Sequence, residues 1–314
     1  MAAVHERNPR AGSRSRSSNH RPGCHATLLV PLLALAVALV RPLPLLAEPF
    51  PALRRSNPNQ ATTSRAARED AQRSIPFDRL DPEARAKVAS VLQDVSFFRR
   101  MPIRVTRCDP ELYLFLVQHP DVIVNIWQVA GVTKVTMQQT GPATFWMTDP
   151  VGTTGSVEYL YSDHDTQVIY TEGSYDGALF TRPVKGRGLL ILQSGYVREP
   201  DGRYYVTSRL DAFMRVEHLG LEILTKTFQP LVGRVADINF SYTADFLGSL
   251  SRTAESSGGG MQHLADKLTQ VQPHVRQQFA QVAQRVAEKA AELSQHDFDH
   301  PPRVASRAAD EGGQ

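Results

Sequence analysis

Apolar residues recur at every third or fourth position at both ends of the chain and at every second position in between. The alternating stretch covers residues 132–217 and predicts strands at 132–139, 143–149, 155–161, 166–173, 177–183, 188–198 and 203–217. Their links are turn chemistry: Thr140-Gly141-Pro142, Pro150-Val151-Gly152, Ser162-Asp163-His164-Asp165 and Glu199-Pro200-Asp201-Gly202. Links this short leave no room for helical crossovers, so the strands form an antiparallel meander.

Helical spacing comes before the meander. Asp81-Pro82-Glu83 combines an N-cap, a proline suited to the first helical position and an acid that complements the helix dipole. Ala84, Val88, Val91, Leu92, Val95 and Phe98 continue it as one apolar stripe, predicting a helix over 81–100 and then a short strand over 103–107. Asp109-Pro110-Glu111 opens a second helix. His119-Pro120-Asp121 breaks it and begins a third, which Gly131 ends.

Helical spacing returns after the meander. Leu224, Phe228, Leu231, Val235, Ile238, Tyr242, Phe246 and Leu250 mark one face of a helix over 219–255, which is expected to lie across the concave side of the sheet. Ser256-Ser257-Gly258-Gly259-Gly260 reads as a Gly/Ser linker over 256–260. The stripe Met261, Leu264, Leu268, Val271, Val275, Phe279, Val282, Val286, Ala290 and Leu293 then approaches a heptad seam. It predicts an amphipathic helix over 261–295 with capacity for self-association through 261–293. The remainder, 296–314, reads as a disordered tail.

The N-terminus has a different character. A basic stretch is followed by the apolar run 26–40, then Arg41 and a segment ending at Ala47, the pattern of a signal peptide over 1–47. This predicts export to the periplasm or cell envelope, with the leader cleaved after Ala47 or kept as an anchor near the membrane. Residues 48–75 read as a flexible linker, leaving a folded domain over 76–255. Charge changes the picture only after it is divided. The leader carries six arginines against Glu6, and the remainder holds 29 basic and 31 acidic residues. A body with net charge −2 lacks the electrostatic footprint of a nucleic-acid binder. Two cysteines 84 positions apart exclude a disulfide framework, and Cys108 reads as a small buried residue.

The order is a short strand and bent helix pair, together over 104–127, then the meander, then the last strands and long helix over 188–250. It resembles the helix-grip superfamily of START lipid-transfer domains, polyketide cyclases and birch-pollen-allergen-type plant proteins. The resemblance implies an α+β fold in which about seven antiparallel strands grip a long C-terminal helix around a cavity. That superfamily has no universal catalytic motif, so no residue role follows from it.

Such a cavity favours apolar ligands because contact with its lining replaces hydration. Val157, Tyr159 and Tyr161 alternate onto one face of their strand. Val206, Ser208, Leu210, Ala212, Met214 and Val216 share a face of the last strand, opposite a more polar face with Tyr205, Arg209, Asp211, Phe213 and Arg215. The ligand-binding candidates are Trp146, Tyr159, Tyr161, Leu210, Met214 and Phe228, with tyrosine hydroxyls available to orient a polar group. Asp163-His164-Asp165 reads as turn chemistry, and Glu217-His218 as a strand–helix junction. No Gly-x-Ser-x-Gly, His-Glu-x-x-His or phosphate loop occurs, and no catalytic residue, metal or cofactor is expected. The leading expectation is an exported, START-like binder or carrier of an apolar small molecule or lipid. The alternatives are a cyclase- or hydrolase-like enzyme using the same cavity, and an envelope structural or interaction protein with a filled core.

Overall fold

In a computed structural model of the protein, the described residues are 60–178, 182–217 and 229–299. Short polar signals start the helices. Ser64 Oγ accepts the amide of Ala67 at 3.2 Å to begin α1 (Arg65–Arg73). Asp81 accepts the amide of Ala84 at 2.7 Å to begin α2 (Pro82–Leu92). Asp109 accepts the amides of Glu111 and Leu112 to begin α3 (Pro110–Gln118), and α4 (Pro120–Val129) follows after His119.

The strands are β1 (Phe97–Arg100), β2 (Arg104–Arg107), β3 (Thr136–Gly141), β4 (Thr144–Thr148), β5 (Thr153–Ser162), β6 (Thr166–Tyr175), β7 (Val184–Arg198) and β8 (Tyr204–Val216). They form one antiparallel sheet in the order β1-β8-β7-β6-β5-β4-β3, with β2 also paired to β8. The expected meander is therefore present from β3 to β8. The expected strand at 177–183 is not: residues 177, 178, 182 and 183 lie in the β6–β7 link, and the others are outside the described residues. Gly202, at φ +80°, closes the β7–β8 hairpin with its amide on Glu199 O at 2.9 Å, a backbone conformation that glycine adopts without strain.

Helices cover both faces of the sheet. On the outer face, Ala67 and Ala71 of α1 and Val88 and Val91 of α2 pack with Phe98, Val168, Leu189 and Phe213. The face of β8 read as more polar is thus covered: Asp211 and Phe213 are 0% and 1% exposed. The stretch read as a linker over 48–75 contains α1, which its serine cap and two buried alanines hold in place. The helix expected over 81–100 ends at Leu92. Phe97–Arg100 instead forms β1, because the edge of β8 offers backbone partners and Phe98 meets Phe213 at 4.8 Å.

On the inner face lie α3, α4, α5 (Gln229–Ser256), α6 (Gly258–Lys267) and α7 (Pro273–Asp299). The long helix α5 follows β1 and β2. Arg99 binds Asp237, Arg104 binds Asp245 at 2.7 Å, and Arg107 binds Glu255. Its buried face is Ala236, Ala244, Leu247, Leu250 and Ala254, whereas Ile238 and Tyr242 of the expected stripe are exposed. The Gly/Ser segment is a helix junction: Ser257 Oγ accepts the amide of Gly260 and caps α6. Helix 261–295 is divided into α6 and α7, since Pro273 starts a new helix. Met261, Leu268, Val275, Phe279 and Val286 of the apolar seam are buried in this chain's own core. The leader, 1–47, lies outside the described residues. Among those described, no helix is long and apolar enough to cross a membrane.

Candidate functional site

The inner face of the sheet looks onto α3 and α4, with α5 alongside β2. Its inward positions on β8 are Val206, Ser208, Leu210 and Ala212, and the cross-strand partners of Ser208 and Leu210 on β7 are Ser194 and Leu192. Val206 and Ala212 are fully buried, but Leu210 between them is only partly covered, as is Leu192. Tyr159 from β5, Tyr196 from β7 and Phe240 and Phe246 from α5 are likewise apolar, inward and incompletely covered. Phe246 faces Trp127 of α4 at 5.2 Å between ring centroids.

A line of hydroxyls borders this patch. Tyr113 of α3 places its Oη 2.9 Å from Ser194 Oγ and 2.8 Å from Ser208 Oγ. Tyr196 donates to His164 O at 2.8 Å, and Tyr159 donates to Val117 O at the end of α3. Burial raises the pKa of Tyr113, Tyr159 and Tyr196, so all three stay neutral hydroxyls through the physiological range. The inner surface therefore combines apolar area with neutral hydrogen-bonding groups.

The sequence candidates divide. Tyr159 and Leu210 are in this interior. Trp146 is 48% exposed on the outer face of β4, opposite the buried Phe145 and Met147. Tyr161 leaves the face of Tyr159 because the β5–β6 register shifts between them. Leu160 and Tyr161 then both pack with the outer cluster, and Tyr161 Oη meets Asp163 at 2.6 Å. Met214 is inward but sits at the end of the sheet in a separate cluster with Phe97. Phe228 lies outside the described residues.

Reactive groups are few. Cys108 is buried, 3.8 Å from Leu247 O, and burial pushes its thiol up to about 12. It is not a nucleophile in this setting. Asp163 accepts the amides of Asp165 and Thr166 and so serves its turn. Glu217 lies 3.6 Å from Arg187, and His218 is outside the described residues. No metal-holding group of histidine, cysteine and acid side chains occurs among the described residues.

The sequence reading missed Asp121, which it took only as a helix-start residue. It is 0% exposed, and no group beyond the amides of its own helix turn partners its carboxylate oxygens. Burial pushes its carboxyl up to about 6, against the smaller opposing pull of the α4 amides of Asp121 and Val122 and of His274. Burial, then His274, lowers the pKa of nearby His119. The only available signal was the type of residue, since His-Pro-Asp is equally compatible with an exposed helix start.

Two open grooves are lined by described residues. One of about 660 Å³ lies between α6 and α7 and is walled by Gln262, Asp266, Arg276 and Gln281. The other, about 540 Å³, lies beside Val105, Val197 and Tyr205 at one end of the sheet. Neither adjoins the partly covered leucines.

No protein-family model matches the sequence, and no curated protein matches it. Among solved structures, an uncharacterized protein from Rhizobium leguminosarum aligns over 46% of this chain and 95% of its own, at 10% identity and a TM-score of 0.25. The di-domain ARO/CYC protein BexL from the BE-7585A biosynthetic pathway aligns over 52% of this chain and 50% of its own, at 16% identity and a TM-score of 0.24. The chain thus spans half the length of BexL.

Proposed function

We propose that this chain is an exported, helix-grip binding protein that carries an apolar small molecule or lipid between the concave sheet face and α5. The observation that supports this is the incomplete cover over Leu210. It sits mid-strand on an interior face, between two fully buried neighbours and beside Leu192. Apolar groups left uncovered inside a fold are a favourable surface for an apolar ligand. The neutral hydroxyls of Tyr113, Ser194 and Ser208 would face the ligand's polar end without requiring it to carry charge.

Native mass spectrometry of the full chain purified from cells tests the reading. The expected result is a retained hydrophobic mass that Leu210→Trp eliminates while circular dichroism shows the fold intact. Wild-type protein that is ligand-free, and takes up no fatty acid or sterol offered in excess, would overturn it.

A further inference from the structure

Three helix ends converge on one sealed acid. α3 ends at Gln118, α4 begins at Pro120, and His274 is carried in the first turn of α7. Asp121, at the second position of α4, is wholly buried, and only the amides of its own helix turn approach its carboxylate. Buried His119 Nδ1 is unpartnered. The titratable groups around Asp121 are His274 from α7, His119 from the α3–α4 junction and Tyr159 from β5. None is a permanent cation, so nothing compensates fully for an ionised carboxylate here.

We propose that Asp121 is an acid-tightened joint: as a neutral acid it lets the first turns of α7 close on the α3–α4 junction, and its ionisation loosens them. The element that moves carries Val275 and Phe279, and Phe279 stacks at 6.1 Å on Phe115 of α3. The joint thus controls how firmly the α7 layer seals the inner core, whether or not a ligand lies within it.

The direction follows from burial. The closed form holds its proton up to about pH 6, while an opened, hydrated Asp121 would release it in the ordinary carboxylate range. Between about pH 4 and 6 the closed form therefore keeps a proton that the open form has lost. Opening grows by up to about tenfold per pH unit across that window and levels off above it. His119 acts in the opposite sense, because its lowered pKa makes closure resist protonation. Tyr159 stays neutral throughout. Wild type must accordingly be compared with a chain in which only Asp121 is silenced.

Hydrogen exchange of the full chain, followed in peptides spanning 268–283 and corrected for intrinsic rates, supplies the test. At pH 7 Asp121→Asn should protect these peptides roughly a hundredfold more than wild type, and the two should converge by pH 4. His274→Gln removes the interaction that opposes the rise of the Asp121 pKa and should move the wild-type transition to higher pH. Parallel curves for wild type and Asp121→Asn would overturn the proposal. So would an Asp121→Asn chain that is less protected at pH 7 or does not fold.

Discussion

Arg100 shows how much one side chain organises. It sits on β1 with its guanidinium on Asp211 Oδ1 and Oδ2 at 2.7 and 2.9 Å and on Asp70 of α1 at 2.8 Å. Its backbone also pairs with Thr62. Asp211 is 0% exposed, and burial raises its pKa even though Arg100 opposes the rise. Removing the arginine would leave a sealed carboxylate without its main partner. Arg100→Met is therefore expected to cost about 3–5 kcal/mol in urea denaturation. The double variant Arg100→Met, Asp211→Leu should recover most of that loss, and a cost as large as the single variant's would refute the account.

At the scale of elements, the decisive contacts are close approaches between backbones. α5 passes β2 at Gly248, where a Cβ would stand 2.7 Å from Thr106 Cγ2 and 3.2 Å from Arg107 O. Gly248→Val should push the helix off the strand and destabilise the protein by about 1–3 kcal/mol, read as a lowered Tm. An unchanged Tm would mean that the helix does not sit against β2. The neighbouring pairs Arg104–Asp245 and Arg107–Glu255 fix the register of the same contact. Lys87 does comparable work for α2, reaching Glu158 of β5 at 2.7 Å. Alternation and turn residues made the strands from β3 to β8 legible, because a half-buried strand writes its own period. The face of α5 was not legible in the same way. Its contact side is rich in alanine, chosen for close approach, while the larger Ile238 and Tyr242 point to solvent.

For the whole molecule, the last two helices belong to the core. Met261, Leu268, Val275 and Phe279 are each no more than 1% exposed, packed in one cluster with Leu112, Phe115 and Leu116 of α3. Each such side chain contributes about 1.5–3 kcal/mol through burial, so the four together are comparable to the net stability of an ordinary domain. A chain ending at residue 257 should lose cooperative thermal unfolding by circular dichroism. A sharp transition near the full-length Tm would show instead that α6 and α7 are accessory.

Local chemistry by itself determined the helix starts at Asp81 and Asp109, the hairpins and the antiparallel pairing of the meander, since each depends on residues within a few positions of one another. It also determined that one face of the last strand would be apolar, from Val206 to Met214. Tertiary structure alone decided that β1 would be a strand, that a bulge would turn Tyr161 away from Tyr159, that Trp146 would face outward and that the 261–294 seam would fold onto its own chain. It alone sealed Asp121. These outcomes depend on which surfaces meet across more than a hundred residues of chain, and periodicity records that a face is apolar without recording what covers it.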